Sequence, residues 1–126
     1  MENEAMQDTG VAYRGGPLAQ TDSKRFRAQV PILFSIDGHQ GQARGQVYNL
    51  SAEGCKVTSD TRVAPGTYLN LRLYLPGSAT PVSVRLAAVR WAQDWEFGVT
   101  FLNMQDEELR RLDQYLAKLE TAGAPS

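Results

Sequence analysis

The sequence predicts a mainly β fold, a six-stranded antiparallel β-barrel followed by a C-terminal α-helix. Three observations carry this expectation. From about residue 28 to 102, apolar side chains recur at a period of two, punctuated by Gly, Pro and Asp turn signals. From about residue 105 to 120 the period becomes helical. Six short strands also leave exposed edges unless the sheet closes on itself, which favours a barrel.

Each element has its own signal. Residues 1–23 are polar and interrupted by Gly15-Gly16-Pro17, with no sustained period, and read as a flexible tail. In the first strand Val30, Ile32, Phe34 and Ile36 alternate with Pro31, Leu33 and Ser35, and Asp37-Gly38 supplies a hairpin turn. A second strand is expected over about 43–48 and a third over about 55–58. Pro65-Gly66 breaks the chain before Leu69, Leu71, Leu73 and Leu75, which share one face. After Pro76-Gly77-Ser78, a fifth strand places Val82, Val84, Leu86 and Ala88 inward, although Ala87 and Val89 blur its polar face. Phe97, Val99 and Phe101 mark the sixth.

The helix follows from Leu109, Leu112, Leu116 and Leu119 on one stripe, with Asp106, Glu107 and Glu108 at the favourable end of the macrodipole. Asn103 is the expected N-cap, and Gly123 and Pro125 the stop. The apolar stripe is expected to pack on the barrel, over one open end. The domain proper is therefore expected over 24–120, with a short tail at 121–126.

Bulk properties narrow the function. A formal net charge of −1 and a pI near 5.8 argue against a protein that coats a nucleic acid polymer or an anionic membrane. A lone cysteine, Cys55, cannot form an intrachain disulfide, and the acidic start has no apolar core of a secretory signal. No apolar run approaches the roughly 18–20 residues of a membrane helix. The expectation is a cytoplasmic domain without membrane insertion.

Catalytic patterns are absent from the sequence. The single histidine, His39, sits at an expected hairpin tip, and there is no nucleophile elbow, P-loop or dinucleotide glycine pattern. One histidine and one cysteine do not make a metal site of known spacing. An enzyme is not expected, and no cofactor or metal is assigned.

Two polar segments remain. One, Lys24-Arg25-Phe26-Arg27-Ala28-Gln29, immediately precedes the first expected strand. The other, Asn49-Leu50-Ser51-Ala52-Glu53-Gly54, separates the second from the third. The hexad by itself reads first as a plain turn, with Asn49 and Ser51 satisfying local backbone, and second as a recognition element. If the first two strands are antiparallel neighbours, the segments meet at one end of the barrel. Arginine's planar fork suits phosphate and the guanine acceptor edge, Asn and Ser offer groups for a base edge, and Gly54 permits positive φ or close backbone approach. The combination suits a guanine nucleotide with exposed phosphates.

These residues resemble the PilZ domain family, the bacterial six-stranded barrel that receives cyclic di-GMP. Its Asp/Asn-x-Ser-x-x-Gly motif is intact as Asn49, Ser51 and Gly54. Its Arg-x-x-x-Arg motif is half present, with Arg25 in the first place and Gln29 in the second, directly before Val30-Pro31-Ile32. The resemblance spans roughly residues 24–118 and includes "LRLYLP" (71–76), "VRW" (89–91), "GVTF" (98–101) and "EELRRLDQYL" (107–116). It implies that Arg25 contacts phosphate and guanine, that Asn49 and Ser51 hydrogen-bond a guanine edge, and that Gly54 shapes the turn. Gln29 keeps hydrogen-bonding capacity but loses charge, a deficit of about 1–2 kcal/mol, or about five- to thirtyfold in affinity. Lys24, Arg27, Arg44 and Arg14 are candidate accessory cations. The implied function is a cyclic di-GMP receptor that relays the second messenger to a protein partner in motility or biofilm regulation. The alternative is a ligand-independent adaptor that binds a motility, pilus or secretion component directly.

Overall fold

The computed structural model describes residues 24–121, so the expected N-terminal tail, Arg14 and the helix stop at Gly123 and Pro125 lie outside the described residues. The elements are β1 (Phe26–Ile36), β2 (Ala43–Leu50), β3 (Gly54–Ser59), β4 (Tyr68–Leu73), β5 (Val82–Gln93), β6 (Glu96–Asn103) and α1 (Asp106–Thr121). All six strands pair antiparallel in a closed barrel of order β1-β2-β3-β6-β5-β4. The strands do not simply follow one another round the barrel. Two three-stranded meanders are joined edge to edge, β1 to β4 and β3 to β6, so among the described residues each strand of the barrel has a neighbour on both sides.

The inward positions follow the alternation. Val30, Ile32, Phe34, Val47, Val57, Leu69, Leu71, Leu73, Val82, Val84, Phe97 and Val99 are buried, and Phe34 meets Phe97 edge-on with ring centroids 5.4 Å apart. Two departures from the expected pattern have local causes. β1 begins at Phe26, four residues before its expected start, because the Phe26 ring is buried and pairs opposite Leu50. A bulge between Arg27 and Val30 absorbs the extra residue. In β5 a register shift between Leu86 and Ala87 reverses the phase, so Leu86 leaves the core while Ala87 and Val89 enter it.

The helix begins as expected in acid but not at the expected cap. Asn103 remains in β6, opposite Leu86, and the first helical bond runs from the Leu109 N–H to the Gln105 carbonyl. Met104, buried between strand and helix, fixes that boundary. Leu112 and Leu116 are buried, and the helix packs against β5. Arg111 donates to Ser78 Oγ at 2.7 Å, to the Pro81 carbonyl at 3.2 Å and to the Thr80 carbonyl, which ties the helix to the β4–β5 turn.

Candidate functional site

The turn between β2 and β3 is built by its serine. Ser51 is buried, and its Oγ accepts from the N–H groups of Glu53 at 3.1 Å and Gly54 at 3.2 Å. The same hydroxyl donates to the Gly54 carbonyl at 3.3 Å, which also accepts from the Ser51 N–H at 2.9 Å. One donor and two acceptor sites are thereby used, the full capacity of a hydroxyl. Gly54 is required by close approach rather than by positive φ: a Cβ there would collide with the Val99 carbonyl of β6. Ser51 and Gly54 are thus parts of the scaffold that holds Asn49.

Asn49 itself faces outward from β2. Arg25 donates from Nη1 to Asn49 Oδ1 at 2.6 Å, which joins the two sequence segments expected to meet. That contact turns the amide NH2 side of Asn49 away from the guanidinium. Beneath them, burial pushes the Cys55 thiol up to about 12, and the nearby Arg25 charge acts in the opposite sense.

The candidate cations separate. Arg27 is exposed and sits directly opposite Asn49 in the β1–β2 ladder. Gln29 is exposed within the bulged stretch of β1. Lys24 instead reaches Glu120 of the helix, with Nζ–Oε2 2.6 Å, an exposed pair of small energetic worth. Arg44 lies five residues from Asn49 along β2, about 17 Å at 3.4 Å per residue. It lines a different groove with Tyr74 and Trp95. Neither Lys24 nor Arg44 therefore stands beside Asn49.

Register adds two residues that the sequence did not single out as contacts. Arg27 pairs with Asn49, Asn49 with Lys56, Lys56 with Gly98, and Gly98 with Trp91, giving one transverse row across β1, β2, β3, β6 and β5. The Trp91 indole lies over Gly98 so closely that a Cβ at Gly98 would collide with the ring. Trp91 remains 36% exposed, enough to present ring surface to a ligand. The row therefore offers cations at one end, an amide and an ammonium in the middle, and an indole at the other. The signal for Trp91 in the sequence was "VRW", but only the strand pairing sets it beside Lys56 and Asn49. Among the described residues no three His, Cys, Asp or Glu side chains group to hold a metal, and no helix is long and apolar enough to cross a membrane.

Comparisons with known proteins agree on the fold. The inhibitor of motility MotI/DgrA of Bacillus subtilis superposes with a TM-score of 0.66 at 18% identity, covering 80% of this chain and 51% of that one. This chain thus spans about half the length of the Bacillus protein. The PilZ domain of CeSA from a cellulose-synthesizing bacterium gives 0.61 at 17% identity, covering 78% of this chain and 99% of that one. The PilZ domain of YcgR from Escherichia coli, solved with c-di-GMP, gives 0.63 at 14% identity, covering 81% and 92%. No curated protein matches the sequence. The model of the PilZ domain matches residues 20–118, from just before Arg25 through most of α1, and the chain belongs to the PilZ domain family.

Proposed function

We propose that this domain is a cyclic di-GMP receptor that relays the second messenger to a protein partner. The observation that carries the reading is the Arg25–Asn49 hydrogen bond at the rim of the Ser51-built turn, in one row with Lys56 and Trp91. In this reading Arg25 and Arg27 attract the phosphates, and Gln29 contributes neutral hydrogen bonds beside them. The Asn49 amide meets a guanine edge, and the Trp91 face stacks a base. Ser51 and Gly54 act by holding Asn49 in place. The bacterial cytoplasm is the proposed location. Control of motility or biofilm is the proposed process, supported by the likeness to an inhibitor of motility.

A second reading, a ligand-independent adaptor that binds a motility, pilus or secretion component directly, is favoured by Gln29, which leaves the arginine motif half present. Calorimetric titration with cyclic di-GMP separates the two. The receptor gives saturable heat at ligand concentrations up to about 100 μM, with GMP binding more weakly because it offers one guanine and one phosphate. No saturable heat from a folded protein leaves the adaptor reading in its place.

A further inference from the structure

Away from the Arg25–Asn49 row, the outer face of the barrel carries a second pattern. Arg44 pairs with Leu33, Leu33 with Arg72, and Arg72 with Ser83, so these four positions form a row across β2, β1, β4 and β5. The row is about 14 Å long at about 4.8 Å per strand spacing. Arg85, two residues beyond Ser83 on β5, is a diagonal neighbour of Arg72, about 7–8 Å away. All three arginines are exposed, and none makes a side-chain hydrogen bond or ion pair with any described residue. Arg72 and Arg85 line one open groove together with half-buried Leu33 and Leu86.

Of the carboxylates nearby, Asp60 is exposed in the groove that Arg44 lines, and two others are engaged. Asp37 accepts from Asn70 Nδ2 at 3.1 Å, and Glu108 accepts from the Ser83 N–H at 2.9 Å and from Arg111 at 3.3 Å. Like charges close together on one sheet face destabilise it unless a counter-charge is supplied. In a chain whose net charge is −1, a face with three guanidinium groups that have no partner among the described residues, set around apolar pads, is a local departure from the whole.

We propose that this face docks an extended acidic segment of a partner protein. Arg44 and Arg72 stand two strand spacings apart, about 10 Å, close to the roughly 9 Å between residues i and i+3 of an extended polyproline II segment, which share one side of it. Carboxylates at those positions reach the two guanidinium forks, while an apolar side chain between them covers Leu33. Arg85 takes a further carboxylate. A phosphate group satisfies guanidinium charge but leaves Leu33 and Leu86 uncovered. The proposal rests on the relay half of the reading above and not on ligand capture, because no residue of the Arg25–Asn49 row lies in this one.

The test uses the full chain and a labelled peptide of Glu-Val-Thr repeats, with Glu-Gly-Ser repeats, Lys-Val-Thr repeats and inorganic pyrophosphate as comparison probes. The Glu-Val-Thr peptide is expected to bind saturably below about 1 mM and to shift the amide resonances of Leu33, Arg44, Arg72, Ser83 and Arg85. Arg72→Glu with Arg85→Glu is expected to weaken it at least about tenfold with the melting temperature preserved, and Arg25→Ala to leave it unchanged. The Glu-Gly-Ser peptide is expected to bind more weakly, since it lacks the apolar contact. The proposal is overturned by no saturable Glu-Val-Thr binding, by equal affinity in the doubly reversed variant, or by preference for pyrophosphate or the basic peptide. Loss of cyclic di-GMP binding in the same protein bears only on the receptor reading.

Discussion

Gln29 and Ser51 illustrate how differently two residues of one motif pair act. Gln29 is exposed beside the Arg25 segment, so Gln29→Arg adds a charge where the proposed phosphates lie. Cyclic di-GMP binding is expected to tighten about three- to thirtyfold, and less so at high salt. Unchanged affinity alongside complete loss in Arg25→Ala assigns the second cationic role to Arg27. Ser51→Ala should act on stability first. It leaves the N–H groups of Glu53 and Gly54 without their acceptor, which costs about 1–3 kcal/mol in urea unfolding. An Ala variant with wild-type stability contradicts the scaffold role. The sequence could not divide these tasks, because Asn-x-Ser-x-x-Gly spells both a turn and a binding motif. Burial of the serine and exposure of the asparagine decide between them, and both come from tertiary contact.

At the scale of strands, the alternation located all six and named most of the core, because a period of two survives wherever the ladder is regular. It failed where the ladder is irregular. The β5 bulge exchanges Leu86 for Ala87, and no side-chain pattern marks it except the apolar run Leu86 to Val89 that blurred the polar face. Asn103 has the chemistry of a cap, yet Met104 and Gln105 intervene because the buried methionine is what stops β6. The same strand pairing creates the seat of Trp91, which no linear motif describes. Trp91→Ala is expected to weaken cyclic di-GMP binding about tenfold, a stacking contribution within the ordinary range of about 1–3 kcal/mol per base. Its melting temperature should fall as well, since most of the ring is packed over Gly98, so affinity is measured below the unfolding transition. Undiminished affinity removes the indole from the proposed ligand platform.

For the molecule as a whole, alkaline pH reads out the packing beneath the site. The Cys55 thiol rises to about 12 in the folded chain from an ordinary 9.0, by burial. Above about pH 9 the unfolded chain releases that proton and the folded chain keeps it, so folding stability is full below this range and declines as pH rises toward 12. Tyr48 and Tyr115, also raised mainly by desolvation, add in the same sense. Urea unfolding at about pH 8 and about pH 10.5 should show the loss, and Cys55→Ala should reduce its slope. Parallel pH profiles for the two proteins exclude Cys55 as its source.

The joining of two meanders has a further consequence, one of timing. The row from Arg27 to Trp91 draws on β1, β2, β3, β6 and β5, and the middle of it crosses the β3–β6 seam. A chain emerging from the ribosome has Asn49 and Lys56 in place after its first meander, but the Trp91 indole comes with β5 and Gly98, which joins it to Lys56, only with the last strand. The β1–β4 and β3–β6 seams also pair residues far apart in sequence, the kind of contact that forms slowly. The complete row from Arg27 to Trp91 is therefore absent from every partly made barrel. On the proposed receptor reading, only the completed barrel presents both ends of the row to the second messenger.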